Sequence, residues 1–364
     1  MEGQSTTDQI FTLRQMLQKC REHQVPTHHL FIDIKAAYNT IDRNELWKIM
    51  DENGFSGKLI RLIKATMDGT QCCVRIPGEL SSSFESRRGL RQGHGISCII
   101  FNVALEGVIR RAVGEMRGTI FNRSSQLICF ADDIDIVGRS SAAVEEIYRK
   151  LKREAERIGL MINTSKTKYK LACGSETDRT RLSSNNKVTI DGDELEIVED
   201  FVYLGSLVTA DNDTSREIRR RIISGSRAYY GLHKQLRSRR FSPRTKCKRY
   251  MTLIRPVVLY GHETWVLLEE DLRTLGVFEQ RVLKTIFGGV QENGVWRRRM
   301  NHELARLYPE GGEGWPDTLG GTCCENAGRL SCKTGVRYES GRNKRWLDQV
   351  ERDLENGCTG PSEF

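Results

Sequence analysis

The sequence lacks the features that would place the protein in a membrane or in an oxidising compartment. No stretch approaches the ~20 consecutive apolar residues that a membrane-spanning helix requires. The first residues, Met-Glu-Gly-Gln-Ser-Thr-Thr-Asp, are polar and do not resemble a signal peptide. The 11 cysteines include no Cys-x-x-Cys pair, and Cys323, Cys324 and Cys332 have no histidines at zinc-finger spacing. We therefore expect an intracellular protein with reduced cysteines and no membrane contact.

Acidic residues are scarce in one segment, and this scarcity accounts for the basic character of the whole chain. Residues 206–260 contain 14 lysines and arginines but only three acidic residues, a net charge of +11. The whole chain carries +9, so the remainder nets −2. A local excess of this kind favours a nucleic-acid backbone as partner, although a solvated helical face is the simpler alternative.

The periodicity of apolar residues predicts a mixture of helices and strands. A chain of 364 residues with 38% hydrophobic and 29% charged residues is long enough for two or three folded domains. We read residues 175–190 as a polar loop. Helices are predicted over residues 5–24, 44–53, 58–67, 97–113, 142–158 and 215–236, and strands over 30–34, 71–76, 81–87, 159–171 and 198–207. Residues 127–137 are predicted to form a strand, a tight turn at 131–133 and a return strand.

This order of elements indicates an α+β fold with helices packed on one face of an antiparallel sheet. We expect a first domain over residues 1–205 and a basic, mainly helical domain over 206–308. Residues 309–364 are poorly specified, because the stretch 309–343 has little helical or strand periodicity before a regular pattern returns at Lys344. A compensated shift of reading frame would produce such a stretch.

Aspartates stand inside two apolar, strand-like runs. Asp132 and Asp133 interrupt the run from Leu127 to Val137, and Asp33 interrupts Leu30-Phe-Ile-Asp-Ile. Buried carboxylates are costly unless they are paired or bind a cation. Two strands that each carry an aspartate suit a site that holds two Mg²⁺ ions for phosphoryl transfer. Taken alone, the pair Asp132 and Asp133 is more typical of a β-hairpin turn than of a metal site.

Five motifs in a fixed order strengthen the interpretation as a metal site. They are Phe31-Ile-Asp-Ile-Lys-Ala-Ala-Tyr38; Gly89-Leu-Arg-Gln-Gly93 with Phe101-Asn-Val-Ala-Leu-Glu106; Phe130-Ala-Asp-Asp133; Gly159-Leu-Met-Ile-Asn163 with Lys166-Thr-Lys168; and Phe201-Val-Tyr-Leu-Gly205. Together they resemble the successive palm motifs of reverse transcriptases, specifically those of non-LTR (LINE-type) retrotransposons. The resemblance covers roughly residues 3–308 and implies a polymerase palm with partial fingers and a mainly helical thumb.

The resemblance also implies an activity and a set of residue roles. The expected activity is RNA-directed DNA polymerisation, in which dNTPs are added to a DNA primer on an RNA template with two Mg²⁺ ions, or Mn²⁺ in their place. The metal-binding aspartates would be Asp33, Asp132 and Asp133, and Lys166 would act beside the triphosphate. The other implied residues are Tyr38, which excludes a 2′-hydroxyl; Arg91, Gln92 and Gly93, which contact template and nucleotide; and Phe201, Tyr203, Leu204 and Gly205, which form a primer grip.

In the basic segment, the resemblance implies a thumb that grips the nucleic-acid backbone without reading its sequence. The arginines expected to do so are Arg219, Arg220, Arg221, Arg237, Arg239 and Arg240.

The sequence departs from the family pattern at several points. His94 and Asn39 stand where aspartate is frequent, and the chain starts at a point that resembles the middle of the fingers. We therefore expect a truncated fingers region and no endonuclease domain. The alternative function is that of an inactive retroelement remnant that only binds RNA and DNA. A nuclear location is expected from what such elements do at chromosomal DNA, and the sequence does not determine the oligomeric state.

Overall fold

The computed structural model describes residues 5–91, 93–114, 120, 123, 125–173 and 186–308. Among these residues, one compact unit extends to Leu204 and a second begins at Gly205. The third predicted segment, residues 309–364, lies outside the described residues.

The helices of the first unit begin at residues that suit a helix start. Ser5 and Asp8 form a reciprocal capping box, and Asp42, Ser56 and Ser140 each accept a hydrogen bond from a first-turn amide. The helices are α1 (Thr6–Glu22), α2 (Ala37–Thr40), α3 (Arg43–Glu52), α4 (Gly57–Met67), α5 (Ser97–Val113) and α6 (Ser141–Arg157).

Most strands are short. They are β1 (Thr27–Ile32), β2 (Ile34–Lys35), β3 (Gln71–Cys72), β4 (Arg75–Ile76), β5 (Glu79–Leu80), β6 (Phe84–Glu85), β7 (Ser125–Phe130), β8 (Asp133–Gly138), β9 (Met161–Ile162), β10 (Lys168–Ala172), β11 (Lys187–Ile190), β12 (Asp193–Ile197), β13 (Phe201–Tyr203), β14 (Ser206–Val208), β15 (Gly289–Glu292) and β16 (Val295–Arg298).

The central sheet has six strands in the order β11-β12-β10-β1-β8-β7. Neighbouring strands are antiparallel except β10 and β12, which are parallel. The α+β class is therefore confirmed, and the expected antiparallel sheet contains one parallel pair. In the middle of the sheet, Ile32 of β1 lies opposite Ile134 of β8, and Phe31 lies opposite Asp135.

The two faces of the sheet have different coverings because side chains alternate along a strand. Leu30 and Ile32 of β1 belong to the main apolar core, together with side chains of α5 and α6 such as Phe101 and Tyr148. His29 and Phe31 point to the opposite face. The main core thus packs against the face of the sheet that carries Leu30 and Ile32.

Two differences from the predicted strands bear on function. The run 30–34 is broken at Asp33, so that β2 turns away from the central sheet and pairs with β9. The predicted polar loop over residues 175–190 is wrong at Lys187–Ile190, which form β11 and pair with β12, and Asp191-Gly192 at the tip of this hairpin is a typical hairpin signal.

The second unit is mainly helical and has its own core. Its helices of seven or more residues are Thr214–Arg237, Pro243–Arg249, Glu269–Phe287 and Asn301–Leu307. The core contains Ile218, Tyr229, Tyr250 and Phe278. Of the helices in the described residues, none has the length and apolar character needed to cross a bilayer.

Candidate active site

Asp33 lies at the break between β1 and β2 and is held from several sides. Its backbone N–H donates to Thr167 Oγ1 at 3.3 Å, and its carbonyl oxygen accepts from the Asn163 N–H at 2.8 Å. The side-chain amide of Asn163 donates to Asp33 Oδ2 at 2.9 Å, and Lys166 Nζ lies 3.9 Å from the same oxygen. The carboxylate is 40% exposed. Asp33 is therefore fixed by the backbone yet open to a ligand.

The second aspartate motif forms a tight turn between β7 and β8. Ala131 has a positive φ of 51°, and Asp133 pairs with Phe130 across the hairpin. Asp132 occupies the turn itself, and both carboxylates are exposed. The hairpin interpretation of this segment is thus confirmed, and the metal-site interpretation stays a prediction.

The two motifs meet at one edge of the sheet. Since Ile32, the last residue of β1, lies opposite Ile134, the following residue, Asp33, lies beside the start of β8. Partial burial raises the pKa of the Asp133 carboxyl, and the negative charges of Asp132 and Asp33 raise it further. Asp133 therefore lies within the electrostatic influence of both Asp132 and Asp33.

The donor chemistry of this cluster suits a hard divalent cation. Carboxylate oxygens are the ligands that Mg²⁺ prefers, and one or two of them suffice when phosphate oxygens and water complete the shell. Within the described residues, however, no group of three or more His, Cys, Asp or Glu side chains is close enough together to hold a metal by itself. The metal site predicted from the sequence therefore stays a prediction.

Tyr38 lies next to this cluster, after a left-handed turn at Ala36 with φ of 44°. Its ring stacks on Phe101 with a centroid distance of 4.8 Å. Burial, the neighbouring Cys98 and the charge of Asp132 together raise the pKa of the Tyr38 hydroxyl to about 12. The Tyr38 hydroxyl thus stays protonated at neutral pH, and the charge of Asp132 contributes to this.

The glycine-rich loop lies against the segment that carries Tyr38. The Gly89 N–H donates to the Ile41 carbonyl at 2.8 Å, and the Leu90 N–H donates to the Tyr38 carbonyl at 2.6 Å. The Arg91 guanidinium donates to Thr70 Oγ1 at 2.8 Å. Gln92 lies outside the described residues, and Gly93, with φ of 84°, has open space around its Cα.

The predicted primer-grip residues have different environments. Phe201 stacks on Phe31 with a centroid distance of 4.1 Å. Tyr203 is buried, and burial together with the charge of Asp135 raises the pKa of its hydroxyl. Its side chain therefore packs inside the first unit, and Val202, which the sequence did not single out, is the exposed side chain of β13. Leu204 and Gly205 follow, both with positive φ.

Two of the six predicted backbone-binding arginines are engaged inside the second unit. Arg220 and Arg221 donate to the fully buried Glu217 at 2.7 and 2.6 Å, and both also reach the Gly205 carbonyl. Arg221 additionally lies over the ring of Tyr260. These two arginines are thus already paired within the unit, and their expected role as phosphate contacts stays a prediction. The other predicted arginines, Arg219, Arg237, Arg239 and Arg240, are exposed.

A buried polar pair lies under the cluster and was not predicted from the sequence. His29 Nδ1 is 3.0 Å from Asp135 Oδ2, and both side chains are buried. Thr27 Oγ1 lies 3.0 Å from His29 Nε2. Histidine in a run of strand residues gives no strong signal by itself. Asp135 is separated from Asp133 by one residue and is part of the sheet interior.

Comparisons with known proteins agree with the motifs. A family model described as "Reverse transcriptase (RNA-dependent DNA polymerase)" matches residues 1–208, more than half of the chain. A putative uncharacterized transposon-derived protein, F52C9.6, of Caenorhabditis elegans is 27% identical over 136 residues, which are 37% of this chain and 47% of that protein.

Two further relatives are retrotransposon proteins. The Pol polyprotein of the retrotransposable element R2DM of Drosophila melanogaster is 21% identical over 37% of this chain and 13% of its own length. A Pol polyprotein of the type-1 element R2 of Popillia japonica is 23% identical over 48% of this chain and 29% of its own length. The chain thus spans less than half the length of these relatives.

Among solved structures, apo telomerase of Candida tropicalis is similar over 94% of this chain and 56% of the telomerase chain, with 13% identity and a TM-score of 0.41.

Proposed function

Because this chain belongs to the reverse transcriptase (RNA-dependent DNA polymerase) family, we propose that it adds dNTPs to the 3′-hydroxyl of a DNA primer on an RNA template, as part of a non-LTR retrotransposon. The observation that carries this proposal is the meeting of Asp33 with Asp132 and Asp133 at one sheet edge, where partial burial and the charges of Asp132 and Asp33 raise the pKa of Asp133. Such a cluster is electrostatically costly unless a cation joins it.

The proposed metal ligands are Asp33 and Asp132, with Asp133 beside them. Bound Mg²⁺, or Mn²⁺ in its place, would supply the charge that activates the attacking hydroxyl and neutralises the leaving pyrophosphate. The chain's own residues orient the reactants around that charge. Asn163 and Thr167 fix Asp33, and Lys166 places an ammonium 3.9 Å from its carboxylate, where it can offset the charge on the triphosphate.

The nucleotide would be oriented by the residues next to the cluster. The stacked ring of Tyr38 is a rigid surface on which a deoxyribose can rest and against which a 2′-hydroxyl would collide. Arg91, held by Thr70, and the open backbone at Gly93 are placed on the same loop for contacts with the template and the incoming base. Gln92 is proposed for this role from the motif alone.

In the second unit, the proposed nucleic-acid contacts are on one exposed face of the helix Thr214–Arg237. This basic face repeats at helical spacing and carries two apolar side chains between its cations, Tyr230 being 64% exposed. Arginine and lysine would bind phosphates, and a heteroduplex would be recognised by shape rather than sequence. The face consists of Arg219, Ile223, Arg227, Tyr230, Lys234 and Arg237; Arg239 and Arg240 follow the helix.

A second candidate function is binding of RNA and DNA without polymerisation. It is favoured by the absence, among the described side chains, of a preformed group of three metal ligands. In this alternative the basic face still binds nucleic acid, and the aspartates are retained from an active ancestor but do not catalyse a reaction.

Primer extension separates the two candidates. Purified protein is incubated with poly(rA)/oligo(dT), dTTP and Mg²⁺, and binding to the same heteroduplex is measured in parallel by fluorescence anisotropy. Extension of the primer is expected. Retained, salt-sensitive binding without extension would contradict the polymerase proposal and support the binding-only alternative. The nuclear location is a proposal that imaging of the tagged chain in cells would test.

A further inference from the structure

Arg43 is a buried arginine whose guanidinium donates hydrogen bonds to backbone carbonyls of two neighbouring chain segments. It is the first residue of α3 and is 8% exposed. Its Nε donates to the Gly89 carbonyl at 2.9 Å, and one terminal nitrogen donates to the carbonyls of Met67 and Ser86, each at 3.0 Å. The other terminal nitrogen reaches the Arg88 carbonyl at 3.4 Å. We call this arrangement the Arg43 clamp.

A guanidinium is costly to bury, so its retention at this position requires a compensating role. The four acceptors belong to two chain segments, the end of α4 and residues 86–89. Only the planar fork of arginine reaches acceptors in several directions at once, whereas lysine carries a single point charge. The clamp therefore ties residues 86–89 to the end of α4 and to the start of α3.

The clamped segment leads directly into the residues proposed to bind the nucleotide. The Gly89 N–H donates a hydrogen bond to the Ile41 carbonyl at 2.8 Å, and the Leu90 N–H donates one to the Tyr38 carbonyl at 2.6 Å. Gly89 approaches its neighbour so closely that an added Cβ would lie 2.6 Å from the Asn39 carbonyl oxygen. Movement of residues 86–90 would consequently move the backbone of Tyr38.

A second path links the clamp to Arg91. The Met67 carbonyl, which accepts from Arg43, also accepts from Thr70 Oγ1 at 2.6 Å. Thr70 Oγ1 in turn accepts from both Nε and a terminal nitrogen of Arg91. Arg43 thus supports Tyr38 through the backbone and Arg91 through Thr70.

We propose that Arg43 is a positioning residue that sets nucleotide affinity and sugar selectivity by holding residues 86–91 against the Tyr38 segment. The inference rests on the proposed polymerase function. A positioning role of this kind acts on the KM for the nucleotide and on discrimination between dTTP and UTP. A general structural role would instead lower the active fraction and hence kcat alone.

The test compares Arg43→Lys with Arg61→Lys, a substitution of an exposed arginine on α4. Steady-state extension of oligo(dT) on poly(rA) gives kcat and KM for dTTP and the ratio of dTTP to UTP use. For Arg43→Lys we expect KM for dTTP to rise roughly tenfold and the dTTP preference to fall, with a smaller change in kcat. Arg61→Lys should match the wild type.

Hydrogen exchange provides a readout that is independent of activity. In Arg43→Lys, peptides covering residues 86–91 should exchange faster than in the wild type, whereas peptides from α6 should not. If Arg43→Lys does not fold, Thr70→Val, which removes the acceptor of Arg91 but keeps the clamp, replaces it. For Thr70→Val we expect KM for dTTP to rise while the Gly89 and Leu90 amides keep wild-type exchange.

The outcomes are distinct. Unchanged exchange over residues 86–91 in folded Arg43→Lys, or a fall in kcat with unchanged KM and selectivity, would overturn the positioning role. For Thr70→Val, an unchanged KM for dTTP would likewise overturn the positioning role. If the wild-type chain does not extend primers, the proposed polymerase function fails and the kinetic role of Arg43 fails with it. The exchange measurement then still decides whether the clamp holds the loop.

Discussion

The side-chain amide of Asn163 donates a hydrogen bond to the carboxylate of Asp33 at 2.9 Å, and the Asn163 backbone N–H binds the Asp33 carbonyl. Asn163 thus fixes both the main chain and the side chain of a proposed metal ligand. It is placed to do so because β2, which follows Asp33, pairs with β9, which precedes Asn163.

Replacement of Asn163 with alanine should therefore lower activity without unfolding the protein. Residues that orient metal ligands typically contribute about 10–100-fold to activity or metal affinity, and we expect a loss in this range for Asn163→Ala. Primer extension across a Mg²⁺ titration measures it. Asn44→Ala, at an exposed position on α3, is the matched control, and equal activity of the two variants would contradict the role of Asn163.

The raised pKa of Asp133 predicts a pH-dependent stability effect. Because the folded state keeps this proton to higher pH than the unfolded state, the stability from Asp133 is fullest below its unfolded pKa of about 3.9 and is lost as pH rises through the raised folded value. Asp133→Asn removes the repulsion. In metal-free buffer it should raise the melting temperature near neutral pH, and the gain should shrink toward about pH 4.

Asp51→Asn, an exposed carboxylate on α3, serves as the control for this experiment and should show no such trend. Added Mg²⁺ should stabilise the wild type more than Asp133→Asn. If Asp133→Asn raised the melting temperature by the same amount near neutral pH and near about pH 4, repulsion among the three aspartates would not be the cause of the stabilisation.

Glu217 should be critical for the stability of the second unit. Its buried carboxylate accepts from Arg220, from Arg221 and from the Leu207 N–H at 3.0 Å. Removal of one partner from a buried ionic group costs about 3 kcal/mol, so Glu217→Ala should lower the free energy of unfolding by about that amount in a urea titration. Glu269→Ala, which breaks an exposed pair with Arg273, should cost less than about 1 kcal/mol. Similar costs for both variants would contradict this assignment.

The basic face should determine the salt dependence of nucleic-acid binding. Each phosphate contact that is lost lowers the slope of log affinity against log salt by about one. Arg219→Gln and Arg237→Gln should each lower this slope by about one. Arg273→Gln, on another helix of the second unit, should leave the slope unchanged. Unchanged slopes in all three variants would place the contacts elsewhere.

The sequence predicts the strongly periodic elements well and the site only in part. Helix α5 has the predicted bounds because an apolar face and a terminal glycine at position 114 mark it clearly. Asp33 and Asp132 could be chosen because carboxylates in apolar runs are conspicuous. Pairing of Arg220 and Arg221 with Glu217 could not be foreseen, since which arginines of a basic helix face inward depends on tertiary contacts.

Other parts of the site depend on long-range contacts that a linear pattern does not contain. The clamp joins Arg43 to carbonyls 24 to 46 residues away, and backbone carbonyls carry no residue signature. The pair of His29 with Asp135 spans 106 residues and depends on the register of β1 with β8. Only the strand register reveals such partners.

Primer extension by Asp132→Asn tests the central claim most directly. Wild-type protein, Asp132→Asn and the control Asp51→Asn are each mixed with a preformed poly(rA)/oligo(dT) heteroduplex, dTTP and Mg²⁺, and the extended primer is followed over time. We predict that Asp132→Asn slows incorporation by about a thousandfold, because metal-mediated charge stabilisation supplies several kcal/mol, while heteroduplex binding is retained. Incorporation by Asp132→Asn at the rate of the wild type would contradict the assignment of the catalytic site.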